Sequence, residues 1–446
     1  MKKISLLLLF ISLNSFSQYN SDSFFNKQKI DSLFNVLDIN NEYMGTISVF
    51  KDKKEIYSRS IGYSDINNNI LSNESTRYRI GSISKIFTAV LIMQLVEEKK
   101  LNLNDKLSQY FPDIKLSNEI TIEQLLTHRS GIYNYTDIKD YESWMEKPLS
   151  QKELISKINK NKRRFKPNKK FEYSNSNYFL LSLIIEQIEN GRFNKILEKK
   201  ILIPYNLNQT YCCTNEENNN VAKSYYNINN KWKEATNTDL RTAAGAGGII
   251  STAKEINKFF NLLFNNKIIN KESLDLMTYN LKTSDYGFGI FEYDFFNSSG
   301  YGHNGRIDGF ISTACYFLEE EISVTYLNNG FRPDINRILI KVLGEAFKTD
   351  YTDKKKYLDF DITKQNLIEI QGVYKKSKKK NFKVKIKDNI LVASIDEGPI
   401  QLDFALSPIT KNRFKSDILG IELEFYRKEK LVIIHQGDEE IKYKKK

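Results

Sequence analysis

Cysteine and histidine are both scarce. Three cysteines in 446 residues are too few for a disulfide framework. Cys212 and Cys213 are adjacent, so at most one can pair with Cys315 and one thiol is left over; which of the two would pair stays open. The three histidines, His128, His303 and His435, lie far apart without metal-ligand spacing, so neither a metal nor another cofactor is expected. Beyond the N-terminus no apolar run approaches the about 20 residues that span a bilayer. No Gly-x-Ser-x-Gly elbow occurs, which argues against an α/β-hydrolase triad. Nothing resembles a nucleic-acid-binding motif, although the formal net charge is +12. That excess is spread as Lys beside Asn and Ile. Its clusters at Lys354–Lys356, Lys378–Lys380 and Lys444–Lys446 read as solvated linker, turn and tail, with weak attraction to anionic envelope polymers as the other reading.

What is present begins with Met1-Lys2-Lys3, an apolar core from Ile4 to Leu13, and Ser15-Phe16-Ser17 before Gln18. A basic start, a short apolar core and small residues at −3 and −1 make a secretory signal peptide over residues 1–17. The expectation is a periplasmic or secreted protein with no membrane span after cleavage. The rest is long enough for two domains. Thr46–Phe50 and Glu55–Ser58 flank a turn and read as a hairpin. A helical middle runs from Ser82 to about Lys199, strands return near Phe310–Phe317 and Ile322–Leu327, and a helix from Ile335 to Phe347 closes the unit. After a linker expected at 348–361, Phe382–Lys387 and Ile421–Phe425 alternate strictly, so residues 362–446 read as a small all-β domain.

Ser82-Ile83-Ser84-Lys85 carries the chemistry. A serine and a lysine three residues apart share one face of a helical turn, so the amine can reach the hydroxyl. Serine needs such a base to become a nucleophile. Ile83, Ile86, Phe87, Val90, Leu91 and Leu95 follow at helical spacing, with Ala89, Ile92 and Met93 on the other sides. This describes a buried helix with Ser82 at its N-terminus, where backbone N–H groups favour negative charge. The spacing alone is unspecific. It recurs at Ser251–Lys254, which reads as a helix N-cap, and at Ser377–Lys380, which reads as a solvated turn. Tyr-x-Asn likewise occurs at Tyr173, Tyr225 and Tyr326, and His-x-Gly at His303 and His435. Only Tyr173-Ser174-Asn175, ahead of an apolar helix, and His303-Asn304-Gly305, in a glycine-rich entry to a strand, have fitting surroundings.

With these residues in order, the chain resembles the serine β-lactamase and penicillin-binding-protein superfamily, on the branch of class C β-lactamases, D-alanyl-D-alanine carboxypeptidases and related esterases. Leu125-Leu126-Thr127-His128-Arg129-Ser130-Gly131, Ala244–Thr252 and Tyr286-Gly287-Phe288-Gly289 look like further segments of that family. The resemblance covers roughly residues 30–345. It implies an α/β (α+β) fold over residues 18–347: a β-lactamase/transpeptidase-like antiparallel sheet flanked by helices, with a helical subdomain. Residues 362–446 look like the lipocalin-like, barrel-like domain appended to such hydrolases; substrate or wall binding and a purely structural appendage are both open for it.

The resemblance assigns Ser82 as nucleophile, Lys85 and Tyr173 as a coupled proton-transfer pair, and Asn175 as a hydrogen-bond partner of Lys85 or of the substrate amide. Tyr173 would also pass a proton to the leaving group. Neutralising half of Lys85 at pH 7 requires on the order of 4–5 kcal/mol from its surroundings. His303 stands where many relatives carry the lysine of Lys-Thr-Gly, which tilts the substrate away from antibiotics. Gly305 and Arg306 follow it, and the N–H groups of Ser82 and Arg306 would form the oxyanion hole. Arg306 replaces a small residue; it would narrow the cleft or bind a substrate carboxylate bidentately. Asn168 after Pro167, and Tyr205-Asn206 after Pro204, depart from the pattern and put loop geometry in doubt. The absence of Ser-Asp-Asn and Lys-Thr-Gly disfavours a class A β-lactamase. The expectation is an exported serine hydrolase acting through an acyl-enzyme on a D-amino-acid peptide, of cell-wall origin or otherwise, or on a small ester. The alternatives are a class C-like β-lactamase and an inactive, penicillin-binding-like or wall-binding protein. The oligomeric state is open.

Overall fold

The computed structural model describes residues 25–446 except 40, 42, 215–219, 229–230, 280–285, 296–297, 332–334, 349–363, 376–380, 388–389, 398–399, 417–420 and 437–438. The signal peptide read at 1–17 lies outside the described residues, as do the Ser377 copy of the motif and all of the 348–361 linker but Lys348.

Alternating side chains build the central sheet. Along Phe310–Phe317, Ala314 and Tyr316 enter one apolar cluster while Cys315 and Phe317 enter another, the period of two of a strand covered on both faces. Six antiparallel strands run in the order Phe291–Phe295, Ser298–Ile307, Phe310–Phe317, Ile322–Phe331, Tyr43–Lys51 and Lys54–Ile61. The Tyr43–Lys51 strand thus pairs with one almost 300 residues later, Ile47 facing Tyr326 and Val49 facing Val324. This is the antiparallel sheet that the sequence leads one to expect. Helices Lys27–Ile39 and Ile335–Ala346 bring Ile30, Phe34, Leu339 and Val342 onto one face. Phe259, Phe260 and Leu263 of helix Ala253–Phe264 belong to the cluster on the other, beyond which the helical layer is built.

Two helices of that layer are apolar on all sides through their centres. Ser84–Glu97 is buried from Ser84 to Met93, and Asn175–Glu189 from Ser176 to Ile185, so a polar group within those spans must find its partners inside the protein. A small sheet leads into the first of them. Tyr78–Arg79 pairs with Ile249–Ser251, which pairs with Tyr211–Cys212. Ser251 is therefore a strand residue bonded to the Thr210 hydroxyl at 2.7 Å, and the N-cap of the following helix is Thr252. The cysteines also depart from expectation. Cys212 and Cys213 are disulfide-bonded to each other, and Cys315 is the free, buried thiol. Cys315 sits within the large sheet with its Sγ toward the Val324 carbonyl at 3.8 Å.

At the C-terminus, helix Lys364–Ile370 precedes eight antiparallel strands from Gly372–Lys375 to Glu439–Lys445, whose first and last members pair at Tyr374 and Lys445. Phe382, Val384, Leu423, Phe425, Val432 and Ile434, from the alternating segments, fill the enclosed core.

The turn that leads into the first buried helix is pressed against the sheet. Gly81 has φ +54°, and a Cβ there would stand 2.7 Å from the Arg306 nitrogen. Gly305 is pressed equally hard against the Ile80 carbonyl, with a Cβ position 2.0 Å from its oxygen. Gly81→Ala should therefore destabilise the protein by at least about 1 kcal/mol, from the left-handed backbone alone. Urea unfolding checks this; an unchanged midpoint would show that the close contact adds nothing to the fold.

Candidate active site

Gly81–Ile83 form a 3₁₀ turn that runs directly into helix Ser84–Glu97. One helical turn then carries Lys85 back onto Ser82, with Nζ 3.0 Å from Oγ. The same nitrogen lies 2.8 Å from Asn175 Oδ1 and 2.6 Å from the Ala246 carbonyl. Lys85 is fully buried, and burial alone drives its pKa well below the ordinary lysine value. Its partners match the neutral amine. Two of them can only accept, taking the two N–H bonds, while the Ser82 hydroxyl can donate to the remaining lone pair.

The Ala246 carbonyl is held in place by a distorted segment. Within Leu240–Gly247, Ala244 adopts φ 35° and ψ −127°, a conformation that costs a residue with a Cβ about 1–3 kcal/mol. The next carbonyl, of Gly245, is fixed by the Thr88 hydroxyl at 2.8 Å. Asn175 is similarly fixed. Its N–H donates to Asn134 Oδ1 at 3.0 Å and its Nδ2 to Thr136 Oγ1 at 3.2 Å, which leaves Oδ1 aimed at Lys85. Asn175 thus meets the lysine, one of its two expected partners.

Tyr173 lies with its ring centroid 4.8 Å from Lys85 Nζ. Its hydroxyl is buried and has no hydrogen-bond partner among the described residues. Burial raises its pKa above the ordinary phenol value, and the nearby Ser82 side chain offsets this only in part. Burial thus acts in opposite senses on the two groups: it takes the proton off the amine and keeps it on the phenol.

Sequence reasoning placed His128 in a family segment and assigned it no part in the site. The structure gives it a specific position. Its carbonyl accepts the Glu172 N–H at 3.1 Å, and its Nδ1 accepts the Ser174 N–H and Asn177 Nδ2, both at 3.1 Å. The residues before and after Tyr173 are thus tied to one histidine, whose ring packs 4.3 Å from the tyrosine's. With Nδ1 accepting, the ring proton is on Nε2. Burial, Lys85 and His303 all hold its pKa well below the usual histidine value. The only signal in the chain was its place between Leu126 and Ser130.

His303, Gly305 and Arg306 arrive on strand Ser298–Ile307. His303 is buried, with Nε2 3.2 Å from the Tyr286 hydroxyl and Nδ1 against the Asn304 carbonyl. Burial, with Lys85 second, lowers its pKa to about 3, so it is neutral here. The backbone of Arg306 abuts Gly81, and its side chain is exposed at the rim. A buried ion pair secures this apposition. Arg79, three residues before Ser82, bonds Asp308, two residues after Arg306, at 3.0 Å, and Asp308 also accepts from the Thr238 hydroxyl at 2.7 Å. The structure therefore gathers all seven residues singled out from the sequence: Ser82, Lys85, Tyr173, Asn175, His303, Gly305 and Arg306. The Tyr225 and Tyr326 copies of Tyr-x-Asn lie instead in strands Tyr225–Ile228 and Ile322–Phe331.

Residues 42–343 match the Beta-lactamase family. Among known proteins, the teichoic acid D-alanine hydrolase of Staphylococcus aureus (strain MRSA252) is 27% identical over 291 residues, which is 65% of this chain and 71% of that one. The structure of D-amino acid amidase from Ochrobactrum anthropi SV3, complexed with L-phenylalanine amide, superimposes with a TM-score of 0.64 at 23% identity, covering 71% of this chain and 98% of its own. The octameric penicillin-binding protein homologue from Pyrococcus abyssi gives 0.66 at 23% identity, over 94% of this chain and 99% of its own. Both solved structures share the fold.

The neutral histidines make stability depend on pH. Unfolded histidine titrates near 6.5, whereas folded His303 titrates at about 3. Between those values the unfolded chain binds the extra proton, so stability is fully present above about pH 6.5 and is lost as pH falls. Each such group contributes about 1.4 kcal/mol per pH unit. Urea midpoints measured from pH 7 to 4.5 should fall, and His303→Asn should fall less steeply. Equal slopes would mean that His303 protonates freely in the folded protein.

Proposed function

The chain belongs to the beta-lactamase family of serine hydrolases, and on that footing we propose that it hydrolyses an ester or amide of a D-amino acid through an acyl-enzyme on Ser82. The observation that carries this reading is the contact of a buried, counter-charge-free Lys85 amine with Ser82 Oγ at 3.0 Å. The names of two relatives, a teichoic acid D-alanine hydrolase and a D-amino acid amidase, supply the D-amino acid. Neutral His303, in place of a charged lysine, favours this substrate over an antibiotic. Export by the segment at 1–17, and a division into a hydrolase domain at 18–347 and an appended domain at 362–446, are part of the proposal.

The roles follow from proton positions. Neutral Lys85 takes the Ser82 proton as Oγ attacks the substrate carbonyl carbon. The N–H groups of Ser82 and Arg306 receive the developing oxyanion. Tyr173, protonated and beside Ser82, gives its proton to the departing oxygen or nitrogen and regains one from the Lys85 ammonium. Asn175 holds the lysine, and His128 holds the tyrosine. Water then attacks the acyl carbon and gives a proton to Lys85, which passes it to Ser82 Oγ as the acyl–Oγ bond breaks and the acid is released.

Incubation with D-alanyl esters and amides, a D-alanyl-D-alanine peptide and a fluorescent penicillin, followed by peptide mapping, tests this. Label is expected on the peptide containing Gly81-Ser82-Ile83, and Ser82→Ala should abolish label and turnover. Lys85→Ala should slow acylation 10²–10⁴-fold, as loss of a general base does. Tyr173→Phe should cost a comparable factor, and the two losses need not add. Label on Ser130 or Ser251, or undiminished turnover by Ser82→Ala, would overturn the assignment. Faster turnover of penicillin than of any D-alanyl compound would make the protein a β-lactamase.

A further inference from the structure

The disulfide between Cys212 and Cys213 has no part in the chemistry assigned to Ser82, yet it borders the segment that holds Ser82 in place. Adjacent cysteines close no loop of chain, so this bond cannot act by tying distant segments together, as disulfides generally do. It constrains only the backbone of the two residues themselves. Cys213 has φ +60°, a conformation that residues with a Cβ rarely adopt. In that conformation its N–H donates to the Gly248 carbonyl at 2.9 Å. Cys212 pairs with Ile249 in the small sheet.

From there the hydrogen bonds lead to both sides of Ser82. The Ile249 carbonyl accepts the Ile80 N–H at 3.0 Å, and the Ile249 N–H donates to Ser84 Oγ at 3.1 Å. Ile249 thus bonds the residues two before and two after Ser82, while the cysteine pair backs it from the opposite edge of its strand. The Gly248 N–H donates to the Ala244 carbonyl at 2.7 Å. That bond closes the turn containing Ala246, whose carbonyl accepts from Lys85. The pair is open to a reductant on one side only, because Cys212 is buried and Cys213 is partly exposed.

We propose that Cys212–Cys213 is a reversible redox switch on this site. Oxidised, the pair fixes the turn behind Lys85 and the strand beside Ser82; reduced by a dithiol, it releases them and acylation slows. One thiolate of the reductant attacks Cys213 Sγ, and the Cys212 thiolate leaves and takes up a proton. The second thiol of the reductant, as thiolate, then displaces Cys213. Two electrons and two protons pass to the protein, which gains two thiols, and the dithiol becomes a disulfide. Freed from the ring, Cys213 returns to a negative φ and its N–H leaves the Gly248 carbonyl. The effect on acylation rests on the reading of Ser82 as the nucleophile.

The test uses the full-length protein before and after treatment with dithiothreitol, and again after reoxidation. Thiols titrated in denaturant should rise from one per chain, Cys315, to all three. The rate at which a fluorophosphonate labels Ser82 should fall at least about tenfold on reduction, since small misplacements in a site cost rate heavily, and should return on reoxidation. Cys212→Ser/Cys213→Ser should label slowly and ignore the dithiol. Hydrogen exchange should quicken in peptides covering residues 78–84 and 244–250 on reduction, and stay unchanged in strand Ile322–Phe331. Three thiols in the untreated protein, a labelling rate indifferent to reduction, or faster exchange throughout the chain would overturn the switch. If neither form is labelled but exchange responds locally and reversibly, the coupling of the cysteine pair to this segment stands and the reading of Ser82 as nucleophile falls.

Discussion

A lysine side chain buried without a counter-charge governs this structure. Lys85 sits in a helix with no polar face, and its nitrogen meets a hydroxyl, an amide oxygen and a carbonyl but no carboxylate. An ammonium in that setting would be strongly disfavoured, so the amine is held neutral. The groups around it respect the same constraint. His128 and His303 are both held neutral, in part by Lys85 itself, and Tyr173 keeps its proton. A carboxylate introduced here would pair with the lysine and restore its charge.

The rigidity of the site comes from elements that do no chemistry. Ala244 is held in an unfavourable conformation so that the Ala246 carbonyl points at the amine. The Arg79–Asp308 pair, largely removed from water, keeps the turn carrying Ser82 against the strand carrying Arg306. Breaking such a pair on one side costs about 3–5 kcal/mol, enough to loosen the contact between the turn and the strand. His128 works on a third side, bonding the backbone on both flanks of Tyr173.

Much of this was legible in the residues. The Ser82–Lys85 contact depends on helical periodicity, which the apolar spacing of the following residues displays. The large sheet was legible because strands alternate, and the central one divides its side chains between two apolar clusters. Other features leave no such trace. The third acceptor for Lys85 is a backbone carbonyl, and every residue has one. Ser251 and Thr252 are equally good cap residues by composition, and only the strand pairing of Ile249–Ser251 shows which of them caps the helix. Nothing in the cysteine count favours a bond between the adjacent Cys212 and Cys213 over one to Cys315.

The order of strands in the large sheet has a consequence for how the chain acquires its site. Tyr43–Lys51 finds its neighbour on one side within a few residues, but its other neighbour is Ile322–Phe331. The turn bearing Ser82 likewise waits for Arg306 and Asp308. Contacts so distant in sequence make folding slow, because long loops must close before any reward is gained. As the chain emerges from a ribosome, Ser82 and Lys85 are made in the first quarter, yet their surroundings cannot be completed until nearly three-quarters has been synthesised. A nascent or truncated chain therefore carries Ser82 and Lys85 without the strand that brings Arg306 and Asp308 to them.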